Sequence, residues 1–230
     1  GEETNYAFVT NNVDQLEQIA ETGAFYEIEN APFDNCMYGD QLRFLRGVAN
    51  TTYEYAGTIH DAYMRGQNQV EYQDNGFARQ LALLARLIKG NLGTKVYMIS
   101  LGGFDTHGNQ PIVHERLMSN LSIAINNFYE DLAFTEQDDN VLSMTFSEFG
   151  RRVGENSSSG TDHGAANSLF VMGGQVQGGV YGGQPDLSPE ILLTNKGNLK
   201  HEVDFRSVYT RVIENWFGCS GSAVFGQTNY

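Results

Sequence analysis

Three short polar clusters hold the residue types that bind divalent cations: Asp105-Thr106-His107, Ser147-Glu148 and Thr161-Asp162-His163-Gly164. Carboxylate oxygen and imidazole nitrogen together suit borderline ions such as zinc or manganese, and carboxylate alone suits magnesium or calcium. In an extended Asp-x-His segment the residues at i and i+2 point the same way, so Asp105 and His107 can reach one ion. The ligand set read from the three clusters is Asp105, His107, Glu148, Asp162 and His163, which draws on two of only five histidines. The competing reading is that Asp105 and Asp162 cap turns or helices while the two histidines donate to backbone carbonyls. Arg151 and Arg152 follow Glu148 and are placed to clamp an anion or stabilise developing charge; a salt bridge to Glu148 or Glu155 is the alternative. Asn109 and Gln110 are polar loop residues that can position a substrate or simply cap. His60, His114 and His201 read as surface or structural histidines.

The elements around these clusters change period along the chain. Residues 13–22, 39–65, 76–89, 112–134 and 204–217 have helical spacing, the last with Asp204 as N-cap and Gly218 as its stop. Residues 95–101 (KVYMISL), 140–146 (NVLSMTF) and 168–172 (SLFVM) read as strands, the first two buried on both faces, and 150–166 reads as a glycine- and serine-rich loop. Helix alternating with strand predicts an α/β fold, a mostly parallel sheet flanked by helices. In such sheets ligands sit beyond the carboxyl ends of the strands, where the first two clusters fall. The third reaches that edge only if strand 168–172 runs antiparallel. The expected organisation is one α/β domain over 1–230, with a helical part over 1–93 and the sheet core and metal loops over 94–230.

Composition narrows the class. With 230 residues, 40% hydrophobic and 18% charged, the chain can build a core and is neither a disordered tail nor a coiled coil. It has 14 Lys plus Arg against 28 Asp plus Glu, a net charge of −14, which opposes phosphate backbones and anionic lipid surfaces. Nucleic acid is therefore not an expected partner, and no run is long and apolar enough for a transmembrane segment. Cys36 and Cys219 allow one disulfide or two free thiols. Asn-x-Ser/Thr triplets at Asn50, Asn120 and Asn156 occur at chance frequency, two of them inside expected helices.

The segments LGGFDTHGNQ, TFSEFGRRVGENSSSGTDHGAAN and DFRSVYTRVIENWFG resemble the bacterial family called domain of unknown function 1501. The match extends through GDQLRFLR and ARQLALLARLIKGNLGTKVYMISLGGFDTH and covers nearly the whole chain. Members of that family are typically exported and are grouped with the alkaline phosphatase and sulfatase superfamily, which holds one or two divalent metals at the carboxyl edge of an α/β sheet. The resemblance implies that Asp105 and His107 match the superfamily's central Asp and His ligands. Glu148 falls at the strand end where relatives place an Asp-His pair. His163 resembles the final His ligand, and Asp162-His163 also resembles the Asp-His pair itself. One departure stands out. Family members carry an amino-terminal glycine-rich strand end with an Asp, where superfamily enzymes keep a first ligand and a Ser or Thr nucleophile, and no such segment occurs here. The expectation is a domain incomplete at its amino terminus, with the nucleophile outside this chain and a missing segment or another chain completing the site.

The resemblance thus implies an exported, periplasmic or cell-surface hydrolase of phosphate or sulfate esters. Its cofactor would be zinc, manganese, magnesium or calcium, its substrate a small anionic ester or a sulfated or phosphorylated glycan, and Arg151 its anion clamp. The alternatives are a non-catalytic secreted binding or assembly module that keeps a structural metal or none, and a sugar-binding module built on aromatic residues.

Overall fold

The computed structural model describes residues 36–226, with Gln18, Glu21, Gly23 and 25–28 from the segment before them. The helix expected over 13–22 lies, apart from Gln18 and Glu21, outside the described residues. The chain divides into two compact units, Gly1–Leu101 with Ser119–Asn140 and Gly102–Met118 with Val141–Tyr230. Among the described residues no helix is long and apolar enough to cross a membrane.

The first unit is helical. Helix α1 spans Met37–Arg65, α2 spans Gly76–Lys89, and α3 spans Gln110–Ala133, contributing its part from Ser119 onward. Ala56, Ile59 and Ala62 recur on one face of α1 and meet Leu87 of α2, with Tyr63, Leu83, Leu92 and Tyr97 packed around them. Small residues let the two backbones approach. A Cβ on Gly66 would land on the carbonyl of Arg86, and one on Gly90 on that of Ala62. The crossing is closed by reciprocal bonds, Arg65 Nε to the Gly90 carbonyl at 3.0 Å and Arg86 Nε to the Gly66 carbonyl at 2.9 Å. Helix α2 starts at Asn75, whose side chain accepts from the Ala78 amide, and the chain leaves it through Asn91 and Gly93, both with positive φ.

A buried ion pair, Asp131 with Lys89, sits in this interior. Asp131 of α3 is 0% exposed, and its carboxylate takes Lys89 Nζ at 2.6 Å, Asn68 Nδ2 at 2.7 Å, the Gln69 amide at 2.6 Å and the Tyr72 hydroxyl at 3.0 Å. Burial pushes the Asp131 carboxyl up, but the bonds from Asn68, Lys89 and Gln69 and the lysine charge outweigh it and hold it below its ordinary value. Burial, and then the facing Asp131 carboxylate, push the Tyr72 phenol far up.

The second unit holds short ladders. Strands β1 (Ser143–Met144) and β4 (Val171–Met172) pair antiparallel with Ser143 opposite Met172. Strands β2 (Gly150–Glu155) and β3 (Thr161–Gly164) form an antiparallel hairpin with Gly150 opposite Gly164 and Arg151 opposite His163. Helices α4 (Pro189–Thr194), α5 (Phe205–Asn215) and α6 (Ser222–Phe225) follow. Asp204 caps α5 by accepting from the Arg206 amide, and the Arg206 bonds hold its carboxyl down at about 2.

Three sequence expectations differ from this arrangement. The segment 95–101, expected as a strand buried on both faces, joins no ladder and exposes alternate residues, Val96 by 70% and Met98 by 79%. A short apolar run has no period of its own to separate a strand from irregular chain, so its composition alone suggested the strand. Second, 140–146 and 168–172 contract to two-residue strands; they pair antiparallel, the direction expected of 168–172, and no parallel pair occurs among the described residues. Third, the expected loop over 150–166 contains the β2–β3 hairpin, whose polar, glycine-rich strands offered no hydrophobic alternation. Cys36 and Cys219 are both exposed free thiols.

Candidate metal centre

The loop 102–109 is folded by its own backbone. Gly103 adopts φ +101°, and the amides of Thr106 and His107 donate back to the carbonyls of Phe104 and Asp105 at 2.8 and 3.2 Å. Thr106 turns inward and is 4% exposed, which leaves Asp105 and His107 on the outer side together. His163 arrives from β3, opposite Arg151 of β2.

These residues meet at one carboxylate oxygen. Asp105 Oδ1 lies 2.7 Å from His163 Nε2, 3.0 Å from His107 Nε2 and 3.6 Å from Arg151 Nη2. The two imidazoles stack at 4.8 Å, and His163 is sandwiched against Phe149 at 3.8 Å with the rings 6° from parallel. The bond from His163 holds the Asp105 carboxyl below its ordinary value against a small desolvation, aided by the His107, His163 and Arg151 charges. The ligand atoms of Asp105, His107 and His163 all lie within 4.8 Å of one another.

A carboxylate and two imidazoles fit a borderline divalent cation better than an oxygen-seeking one. Asp162 Oδ1 stands 3.7 Å from His107 Nδ1. That separation is beyond hydrogen-bond reach, so Asp162 acts on the His107 ring only through its charge.

Other sequence candidates fall elsewhere. Glu148 is exposed and outside the three-residue group, because β1 ends at Met144 and the chain then bends, with Ser147 Oγ donating to the Phe149 carbonyl. Asp162 joins the cluster only through the far nitrogen of His107 and sits 3.9 Å from Arg152. Arg151 spends its guanidinium on two carbonyls, those of Thr161 and Phe104, and lies 5.1 Å from the Phe149 ring centre. His114 packs edge-on to Phe104 and, with Gln110, Glu155, Ser159 and Thr161, lines a cleft of ≈ 330 Å³. The Thr161 hydroxyl on its wall is buried without a hydrogen-bond partner. Sequence reasoning missed Phe149 and Asn156. The Asn-Ser-Ser-Ser-Gly run was a signal for the second, since Asn favours turns that its own side chain closes.

Residues 49–225 match the family model described as Protein of unknown function (DUF1501), and the chain belongs to that family. No curated protein and no solved structure matches the chain.

Proposed function

We propose that Asp105, His107 and His163 hold a divalent cation, and that this centre serves hydrolysis of phosphate or sulfate esters in an exported protein of alkaline phosphatase-like α/β fold. One observation carries the reading: a carboxylate and two imidazoles from separate segments bring three ligand atoms within 4.8 Å. When bound, a divalent cation supplies Lewis-acid polarisation and a template for an ester oxygen. The chain's own groups hold the geometry. Arg151 ties the Phe104 and Thr161 carbonyls together beside Asp105, and Phe149 stacks on the His163 ring. Arg152, whose nearest carboxylate is 3.9 Å away, is less committed than Arg151 and suits an anionic ester or a sulfated glycan better. Membership of the family, whose resemblance implies export and an α/β fold, supports those parts of the reading.

A second reading has an observation of its own. The Thr106 hydroxyl faces the Phe104 carbonyl at 3.4 Å and the Ser147 hydroxyl donates to Phe149, so neither is offered to the cluster as a nucleophile. That favours a non-catalytic binding module that keeps a metal as a staple. Calorimetric titration with zinc, manganese, magnesium and calcium tests the shared part. Zinc or manganese should bind at one site and be lost in both His107→Ala and His163→Ala. Binding that survives both substitutions, or no binding at all, removes the metal centre.

A further inference from the structure

We propose that Asn156 is the positioning residue of this centre: its side-chain amide ties the His107 backbone to the β2–β3 turn and thereby places the His107 ring. The proposal rests on the metal reading above.

Both ends of the Asn156 amide are engaged. Oδ1 accepts from the Ser158 amide at 2.9 Å and the Gly160 amide at 3.1 Å, and Nδ2 donates to the His107 carbonyl at 3.0 Å. The Asn156 backbone amide closes the turn on the Gly160 carbonyl at 2.8 Å. This pattern fixes which end of the amide faces which partner, since only nitrogen can donate to a carbonyl. Two further bonds run from the ligand loop to the turn, the Asn109 amide to Ser158 at 3.2 Å and the Gln110 amide to Ser159 at 2.9 Å.

The contact is tight and locally strained. Asn109 and Ser159, one on each side, take φ +49° and +58°, a region L-residues enter only when surroundings demand it. A Cβ on Gly160 would lie 2.5 Å from the His107 carbonyl oxygen and 2.7 Å from that of Thr106. The loop's own bonds between 104 and 107 are short-range; Arg151 anchors its Phe104 end, and the turn is what holds its His107 end. Asn156 acts on His107 and not on the ion.

The test uses the 230-residue protein with cobalt(II) as probe, read by its visible absorption and by calorimetry, alongside imidazole NMR of the metal-free protein. Asn156→Asp keeps the acceptor for the turn and loses the donor to His107. Its new carboxylate would by itself attract a cation, and titration above about pH 7.5 keeps the imidazoles neutral, so that proton competition does not account for a fall in affinity. Affinity should drop about 10- to 100-fold, with an altered cobalt spectrum. The metal-free His107 resonances should shift while the His163 signals, set by Phe149, move less. Gly160→Ala attacks the same contact from the turn and should do the same; it decides the matter if Asn156→Asp does not fold. Failure of the two ideas is distinguishable. Wild type that binds no cobalt, with His107 still displaced in Asn156→Asp, removes the metal centre and keeps the positioning role. Cobalt binding lost in His107→Ala but unchanged in folded Asn156→Asp or Gly160→Ala overturns the positioning role.

Discussion

Asp131 shows what a single buried charge does in this chain. Its carboxylate has four donors, from Asn68, Gln69, Tyr72 and Lys89, and the Lys89 and Asp131 side chains are 3% and 0% exposed. Removing one partner of such a pair strands the other, which costs about 3–5 kcal/mol. Lys89→Met and Asp131→Asn should therefore both lower the urea midpoint strongly, the second because it strands the buried Lys89 ammonium and turns an amide donor toward the remaining donors. The pH dependence follows from the depressed folded value. The ionised Asp131 contributes stability that is fully present above the unfolded carboxyl value of about 3.9 and is lost as pH falls through the folded value. Urea titrations from pH 7 down to 2 should show wild type losing more stability than Asp131→Asn in the acid range. Parallel curves would mean that the carboxylate is protonated or unpaired in the folded protein. Nothing in the sequence pointed to this network. Its donors are 42 to 63 residues from Asp131, and a lone Asp in an amphipathic helix reads as a surface residue.

At the scale of elements, what was legible was what repeats. The helices α1, α2, α3 and α5 follow a 3.6-residue apolar period, and the expected 76–89 is the observed Gly76–Lys89. The β2–β3 hairpin was not legible, because its register is set by glycines and an Asn side chain rather than by apolar alternation. The same hidden kind of constraint acts between α1 and α2. Gly66→Ala and Gly90→Ala must separate backbones already in contact and should each cost about 1–3 kcal/mol, as overpacking does. Gly57 is also in α1 but has nothing within 4 Å of its added Cβ, so Gly57→Ala should stabilise by about 0.5–1 kcal/mol. Thermal melts of the three variants decide this, and equal effects at all three positions would contradict the close crossing. The segment 95–101 gives a further check on the fold. Its amides join no ladder and should exchange with solvent within the first time points of a hydrogen-exchange series. Strong protection there would reveal the sheet pairing that its composition suggests.

For the whole molecule, the question is whether these 230 residues turn over an ester unaided, and charge and hydroxyl placement both argue against it. A net charge of −14 draws divalent cations toward the protein and repels the anionic esters that the proposed reaction needs. Covalent transfer needs a nucleophile within near-attack distance, about 3–3.5 Å, of the reacting atom. Thr106 is buried and turned from Asp105 and His107, and Ser147 is bonded to the Phe149 carbonyl. Thr161 is the exception: its hydroxyl is buried, has no partner, and lies next to Asp162 on the cleft wall. No hydrogen bond joins it to a general base, although His114 and Glu155 line the same cleft. The chain should therefore bind zinc or manganese yet leave aryl phosphates and aryl sulfates unhydrolysed above the rate of the metal in buffer. Binding and turnover should be measured on the same sample, so that inactivity is not confused with an empty site. Robust turnover that disappears in Thr161→Ala, while zinc affinity stays unchanged, would make that hydroxyl the nucleophile and this chain a complete enzyme.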